Sequence, residues 1–303
     1  MELRVLRYFL TVAQEENFTR AAEKLHVTQP TLSRQLRELE LLYGTELFNR
    51  SARRVTLTEN GLLLRRRAEE ILALVDETEQ ELRATDEGLS GDIRIGAGES
   101  IHFGYVMQIA NQLQTQYPQV KFHIVTGDGS AVLYQLDRGF IDFAFAYGAM
   151  DQEKYTTLAL PPAYVDQWGV LVPKASHLAA KPYITREELR HEPLLISRQV
   201  LSSTTHGQPL QQWFGCSFES LAIKGSFTML YNGSLMVRAG MGYAIALDKI
   251  VEADTVGSEL CFRPLEPPVY AAPAIVWRKQ TYLSKASQKF LEYLQQAVAI
   301  AHD

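Results

Sequence analysis

At 303 residues the chain is long enough for two or three packed units, because single cores stop growing at about 250 to 300 residues. Apolar content of 46% and charged content of 21% are those of a globular protein, and no run approaches the roughly 18 apolar residues of a membrane helix, so a bilayer partner is excluded. The net charge of -5 argues against a nucleic-acid binder only until it is divided: residues 1–67 hold 12 Lys/Arg against 8 Asp/Glu, and the remainder 18 against 27, a basic head on an acidic body. Cys216 and Cys261 stand far apart without zinc-type neighbours, so neither a metal, a cofactor nor a disulfide is expected. Glu2, Arg4 and Arg7 fall within a helical pattern rather than an apolar leader, and the expected compartment is the cytoplasm.

The first predicted helix, near Leu3 to Glu15, turns Leu6, Phe9, Leu10 and Ala13 inward. A short helix then starts at an expected Thr19 N-cap, offers Ala21 and Ala22 for a close crossing, and ends near Leu25. After a turn at His26 and Val27, Thr28 caps a third helix whose first turn tolerates Pro30. At about 100° per residue, Leu32, Leu36, Leu39 and Tyr43 form its inward stripe, while Pro30, Ser33, Arg34 and Arg37 face out, with Gln29 at the tip. Small donors and acceptors at a helix tip, followed by an Arg, suit entry into a DNA major groove.

Beyond Gly44, Phe48, Val55 and Leu57 bracket the polar turn Ser51 to Arg54 as a hairpin would, with Arg50, Arg53 and Arg54 as phosphate contacts. Thr58 then caps a helix over Glu59 to about Thr85. Its positions Gly61, Leu64, Ala68, Ile71, Val75, Thr78 and Leu82 alternate three and four apart, the seam of a coiled coil.

The motif strings NFTRAAEKLHVTQPTLSRQLRELE (Asn17 to Glu40) and LFNRSARRVTLTENG (Leu47 to Gly61), followed by a long helix, resemble the LysR-type transcriptional regulators of bacteria. The resemblance implies an α + α/β chain: a winged helix-turn-helix over 1–58, a dimerisation linker helix over 59–87, and a two-lobed α/β effector domain, like a periplasmic binding protein, over 91–303. Its first lobe would comprise about 91–161 and 268–303, its second about 162–267. The DNA-facing residues would be Thr19, Thr28, Gln29, Pro30, Thr31, Ser33, Arg34, Arg37, Arg50, Arg53 and Arg54. Leu64, Ala68, Ile71, Val75, Thr78 and Leu82 would join two copies. The implied partners are double-stranded DNA bearing an interrupted inverted repeat, a small-molecule effector, a second copy in a homodimer, a further pair in a homotetramer, and RNA polymerase.

From Gly88 to Gly91 the composition changes, and strands alternate with helices. Strands are expected at Asp92–Ala97, Val120–Thr126 and Asp142–Tyr147, with helices over Ser100–Tyr117 and Ser130–Arg138 between them, as in a parallel sheet. A second set follows: strands at Trp168–Val172, Leu194–Ser197, Ala222–Phe227 and Tyr243–Leu247, with short helices at Leu210–Phe214 and Gly233–Gly240. Pro264–Pro273 reads as irregular, Ala274–Trp277 as a last strand, and Ser284–Ile300 as a helix burying Phe290, Leu291, Leu294, Ala297 and Val298.

A cleft between two such lobes is a natural small-molecule site. Ser100, at an expected helix start, would offer a hydroxyl and free amides to an anion, with His102 beside it, although plain capping accounts for it equally. Ser130 is a cap or a ligand residue by the same reasoning. The resemblance adds Tyr147 and, within SSTT, Ser202 and Thr204, at places where relatives hold effectors. Enzyme motifs fail: Gly96 and Gly98 start a dinucleotide fingerprint, but Ile101 stands at its third glycine, and no nucleophile elbow, Walker loop or zinc motif occurs. A solute-binding protein or an enzyme on the two-lobed domain are the competing readings.

Overall fold

The computed structural model describes residues 1–50, 55–83, 88–202 and 204–301, the side chains of 50, 76, 77, 80–83, 202 and 204–208 excepted. The chain forms two compact units, Met1–Thr85 and Asp86–Asp303.

In the first unit, α1 (Leu3–Glu15), α2 (Phe18–Lys24) and α3 (Gln29–Tyr43) are followed by β1 (Phe48–Arg50), β2 (Val55–Leu57) and α4 (Glu59–Arg83). Asn17, not Thr19, caps α2: its extended backbone lets its side chain accept from the Thr19 and Arg20 amides, so the helix begins at Phe18 and Thr19 lies inside the first turn. Thr28 caps α3 as expected, and Gly44, at φ 62°, ends it in the left-handed conformation that glycine adopts without strain. Phe9, Leu6, Val12, Ala21 and Ala22 pack on Leu32, Leu36 and Leu39 of α3, and Phe9 meets the Phe48 ring at 5.2 Å. Tyr43 departs from the expected stripe. It is exposed with Leu41 and Leu42, because the last turn of α3 runs past the end of this core. β1 and β2 pair antiparallel, Phe48 opposite Leu57; the predicted turn over 51–54 lies outside the described residues.

The linker helix divides its apolar positions between two duties. Ala68 and Leu72 are buried in the core of the head and Leu64 packs partly against it, while a Cβ on Gly61 would stand 2.1 Å from the Leu47 carbonyl oxygen. The predicted seam is therefore rotated at its N-terminal half: Gly61, Leu64 and Ala68 serve the head, and Leu63, Ile71 and Leu74 are left exposed. The Leu82 side chain, at the far end of that seam, lies outside the described residues.

The second unit holds two sheets. In chain order its elements are β3 (Ser90–Ala97), α5 (Phe103–Gln116), β4 (Gln119–Thr126), α6 (Gly129–Asp137), β5 (Phe143–Tyr147), β6 (Tyr155–Ala159), β7 (Asp166–Pro173), β8 (Ile184–Thr185), α7 (Arg186–Leu189), β9 (Leu194–Ser197), α8 (Arg198–Ser202), α9 (Thr204–Phe214), β10 (Ile223–Phe227), α10 (Leu230–Arg238), β11 (Tyr243–Leu247), β12 (Leu260–Glu266), β13 (Tyr270–Ala271), β14 (Pro273–Arg278) and α11 (Lys285–Ile300). The first sheet has the order β4-β3-β5-β14-β6; the second runs β10-β9-β11-β7-β12-β8, with β13 added to β7.

Neither sheet is wholly parallel, contrary to the expectation. β3 is parallel to β4 and β5, which α5 and α6 connect to it, but β14, which re-enters from the other lobe without a crossover helix, is antiparallel to β5 and β6. β7 is likewise antiparallel to β11 and β12. The stretch expected to be irregular begins as β12, whose Pro264 lies opposite Gly169, where a Cβ would strike the Phe262 ring. The first lobe packs α5 and α11 on its sheet through Phe143, Phe145 and Phe290, each essentially fully buried, and burial of one such side chain contributes about 1.5 to 3 kcal/mol. Among the described residues no helix is long and apolar enough to cross a membrane.

Candidate nucleic-acid interface and effector cleft

Burial of Leu32, Leu36 and Leu39 fixes which side of α3 looks outward. Gln29, Pro30, Thr31, Arg34 and Arg37 are exposed and Ser33 is half-buried. The Thr28 and Thr31 hydroxyls bond each other at 2.8 Å, and the Arg34 guanidinium lies 3.8 Å from Glu38 one turn on, with 71% of its side chain open to solvent. So weak a surface pairing leaves the guanidinium available to a stronger acceptor. Thr19 is exposed at the start of α2. Arg53, Arg54 and the Arg50 side chain lie outside the described residues.

In the second unit a cleft of about 420 Å³ separates the two sheets. Its walls are apolar, with Phe145 and Tyr147 from one lobe and Trp168, Val200, Phe227 and Ile245 from the other; Glu99, Asp128 and Gln199 stand among them. Several hydrogen bonds cross it. The Arg198 guanidinium donates to Asp128 at 3.0 Å, the Gly129 amide donates to Gln199 Oε1 at 3.0 Å, and the Glu99 carboxylate accepts from the Leu230 and Tyr231 amides at the start of α10. Asp128 also caps α6, accepting from the Ala131 amide and the Ser130 hydroxyl. Burial alone would raise its pKa, but the Ala131 amide, Arg198 and Ser130 together hold it below the ordinary carboxylate value.

Ser100, His102 and Tyr147 are brought together, but on a group the sequence did not single out. Asp166, the first residue of β7, is fully buried; Ser100 donates to both its oxygens at 3.0 and 3.2 Å, and the Tyr147 hydroxyl donates to Oδ2 at 2.6 Å. His102 Nε2 stands 3.2 Å from the Val165 carbonyl and 3.9 Å from Asp166. Ser100 is thus not a vacant anion donor. Residues 101–102 form a turn and α5 starts only at Phe103; Ser100 Oγ accepts from the His102 amide at 3.0 Å, as a cap does, while its hydroxyl proton is engaged by an internal carboxylate. Of the expected effector residues Tyr147 lines the cleft, Ser130 serves the α6 cap, and the Ser202 and Thr204 side chains lie outside the described residues. Glu99, Asp128 and Asp166 escaped the sequence reading; only Asp128, an Asx at a strand-to-helix junction followed by Gly129 and Ser130, carried a local signal, that of a cap.

Burial raises the pKa of Asp166 above its ordinary 3.8, against the pull of the Tyr147 and Ser100 hydrogen bonds, and burial followed by the Asp166 charge raises that of Tyr147. A carboxyl group raised in the folded state contributes stability below its unfolded pKa, and that contribution is lost as the pH rises through the folded value. Tyr147→Phe, which removes one donor from the buried carboxylate, is expected to lower stability by about 1 to 3 kcal/mol at neutral pH and by less near pH 4, where Asp166 takes up a proton. Chemical denaturation at the two pH values checks this, and an equal loss at both contradicts it.

Two family models match the chain: "LysR substrate binding domain" over residues 86–299 and "Bacterial regulatory helix-turn-helix protein, lysR family" over residues 3–62. The regulator BsdA of Bacillus subtilis (strain 168) is 28% identical over 299 residues, 96% of this chain and 99% of that protein. BudR of Klebsiella aerogenes, also named as an HTH-type transcriptional regulator, is 41% identical over 143 residues, 47% of this chain and the whole of that protein. Among solved structures, full-length CbnR in complex with its target DNA superposes with a TM-score of 0.73 over 98% of this chain and 100% of that one, at 19% identity, a likeness of fold. A full-length OxyR variant from Pseudomonas aeruginosa is 25% identical with a TM-score of 0.54, covering 98% and 99% of the two chains. The chain belongs to the LysR family of transcriptional regulators, with an N-terminal helix-turn-helix domain and a C-terminal effector-binding domain.

Proposed function

We propose that α3 reads base edges in the major groove through Pro30, Ser33 and Arg34, with Gln29 and Arg37 beside them and the wing arginines on phosphate. The outward face of α3 carries this reading: it is open to solvent except at the half-buried Ser33, and it bears hydrogen-bond donors suited to base edges and phosphates. CbnR, similar in fold, has been solved with its target DNA. Two heads placed on successive major grooves recognise an interrupted inverted repeat, and α4 joins them. Its exposed Ile71 and Leu74, with Thr78 one turn on, are spaced three and four apart, as a coiled-coil partner requires, and the exposed Leu63 precedes them by about two turns. Pairs of dimers form the tetramer, contact RNA polymerase, and work in the cytoplasm on the nucleoid. A small molecule seated between the lobes sets the response, by binding one arrangement more tightly than another. Regulation rather than turnover is the role of the two-lobed unit.

Genomic fragments retained by the purified protein identify its operator. On that operator Arg34→Ala is expected to cost about 1 to 3 kcal/mol and to narrow the gap between specific and nonspecific DNA; unchanged discrimination rejects the assignment. Ile71→Asp places an unpaired charge in the proposed seam while leaving the head folded, since Ile71 is 37% exposed whereas Ala68 is buried. Sedimentation is expected to show monomers, and a persistent dimer would show that the seam lies elsewhere.

A further inference from the structure

The amides at the starts of α6 and α10, and two hydroxyls near them, are already bonded by the chain itself, and the groups that bond them are acceptors. At the start of α6 the Ala131 amide is bonded to Asp128 and the Gly129 amide to Gln199; at the start of α10 the Leu230 and Tyr231 amides are bonded to Glu99. The Tyr147 hydroxyl and Ser100 are turned onto Asp166. Helix starts and hydroxyls of this kind are the groups with which proteins hold carboxylates and phosphates. Here each already holds an internal acceptor, in most cases a carboxylate. Among the described residues no Lys, Arg or His side chain lines the cavity, while Glu99 and Asp128 do. Arg198 at its edge is paired with Asp128, and no cationic partner pairs with Glu99 among the described residues.

An anion entering this space would lose its hydration and face two carboxylates, and among the described side chains of the lining only uncharged donors, those of Ser197, Thr228, Tyr270 and Trp168, could receive it. An apolar body, by contrast, finds Trp168, Val200, Phe227 and Ile245 around a volume within the range of small-molecule pockets. We infer that the effector of this chain is a predominantly apolar molecule of aromatic size, uncharged or cationic, and not a carboxylate or phosphate. This rests on the cleft being the effector site, and it replaces the anion that the position of Ser100 suggested.

Three probes of one shape and different charge test it by calorimetry on the full-length protein: naphthalenemethanol, naphthylmethylamine and naphthoate. Each is also titrated into Thr228→Trp and Ala246→Trp, which narrow the cleft from its exposed rim and from its buried wall. The alcohol or the amine is expected to bind at least ~10-fold more tightly than naphthoate, and either bulky variant to abolish that binding. Naphthoate binding most tightly, and lost in the variants, would leave the cleft as the effector site and overturn the inference about charge. Binding that survives both variants would overturn the cleft reading itself. Failure of all three probes at about 1 mM would overturn the inference, because a cleft so lined must accept an apolar body of this size.

Discussion

A carboxylate removed from water must be bonded on its open sides or give up its charge, and in the regulatory unit that requirement falls on Asp166. It stands where the chain enters the second sheet, and the groups that satisfy it come from the first: Ser100 from the turn after β3 and Tyr147 from the end of β5. One residue further on, Gln167 exchanges backbone and side-chain hydrogen bonds with Asp248, tying the same point to the end of β11. The crossing between lobes is therefore pinned from both sides, and the cleft walls that hang from it are placed relative to a fixed point rather than by loop length.

The DNA-binding unit follows a simpler rule. Three leucines of α3 are drawn into a core around Phe9, and what cannot pack is turned to solvent as a consequence. The same competition explains the linker: α4 must cover the open side of the head before it can offer anything to a second copy, so Ala68 and Leu72 are taken up and Leu63, Ile71 and Leu74 remain. On the proposed function, regulation requires that ligand free energy at the cleft be expressed as a difference between assemblies. A coupling of about 1 to 3 kcal/mol suffices for a 5- to 150-fold change in affinity.

Features determined within a few residues were legible from the chain alone. The Thr28 cap, the Leu32–Leu36–Leu39 stripe, and the strands at Leu194–Ser197 and Tyr243–Leu247 all follow from local chemistry and periodicity. Thr19 suits a cap by residue type, but so does Asn17 two residues before it, and only the extended backbone of Asn17 decides between them. The strand directions, and the partner of Ser100, depend on tertiary closure: Asp166 lies 66 residues from the serine it binds, and no spacing rule connects them. A reading that saw a hydroxyl near a helix start could infer an anion there, but not that the anion belongs to the chain.

The most direct measurement of this arrangement is the carboxyl carbon titration of Asp166 by NMR, assigned by the resonance missing from Asp166→Asn. This buried carboxyl is predicted to titrate above 3.8, together with a change in the Tyr147 ring signals. A titration that leaves the tyrosine unaffected would contradict the account, because it would mean that the Tyr147 hydroxyl is not bonded to Asp166 and is open to a ligand.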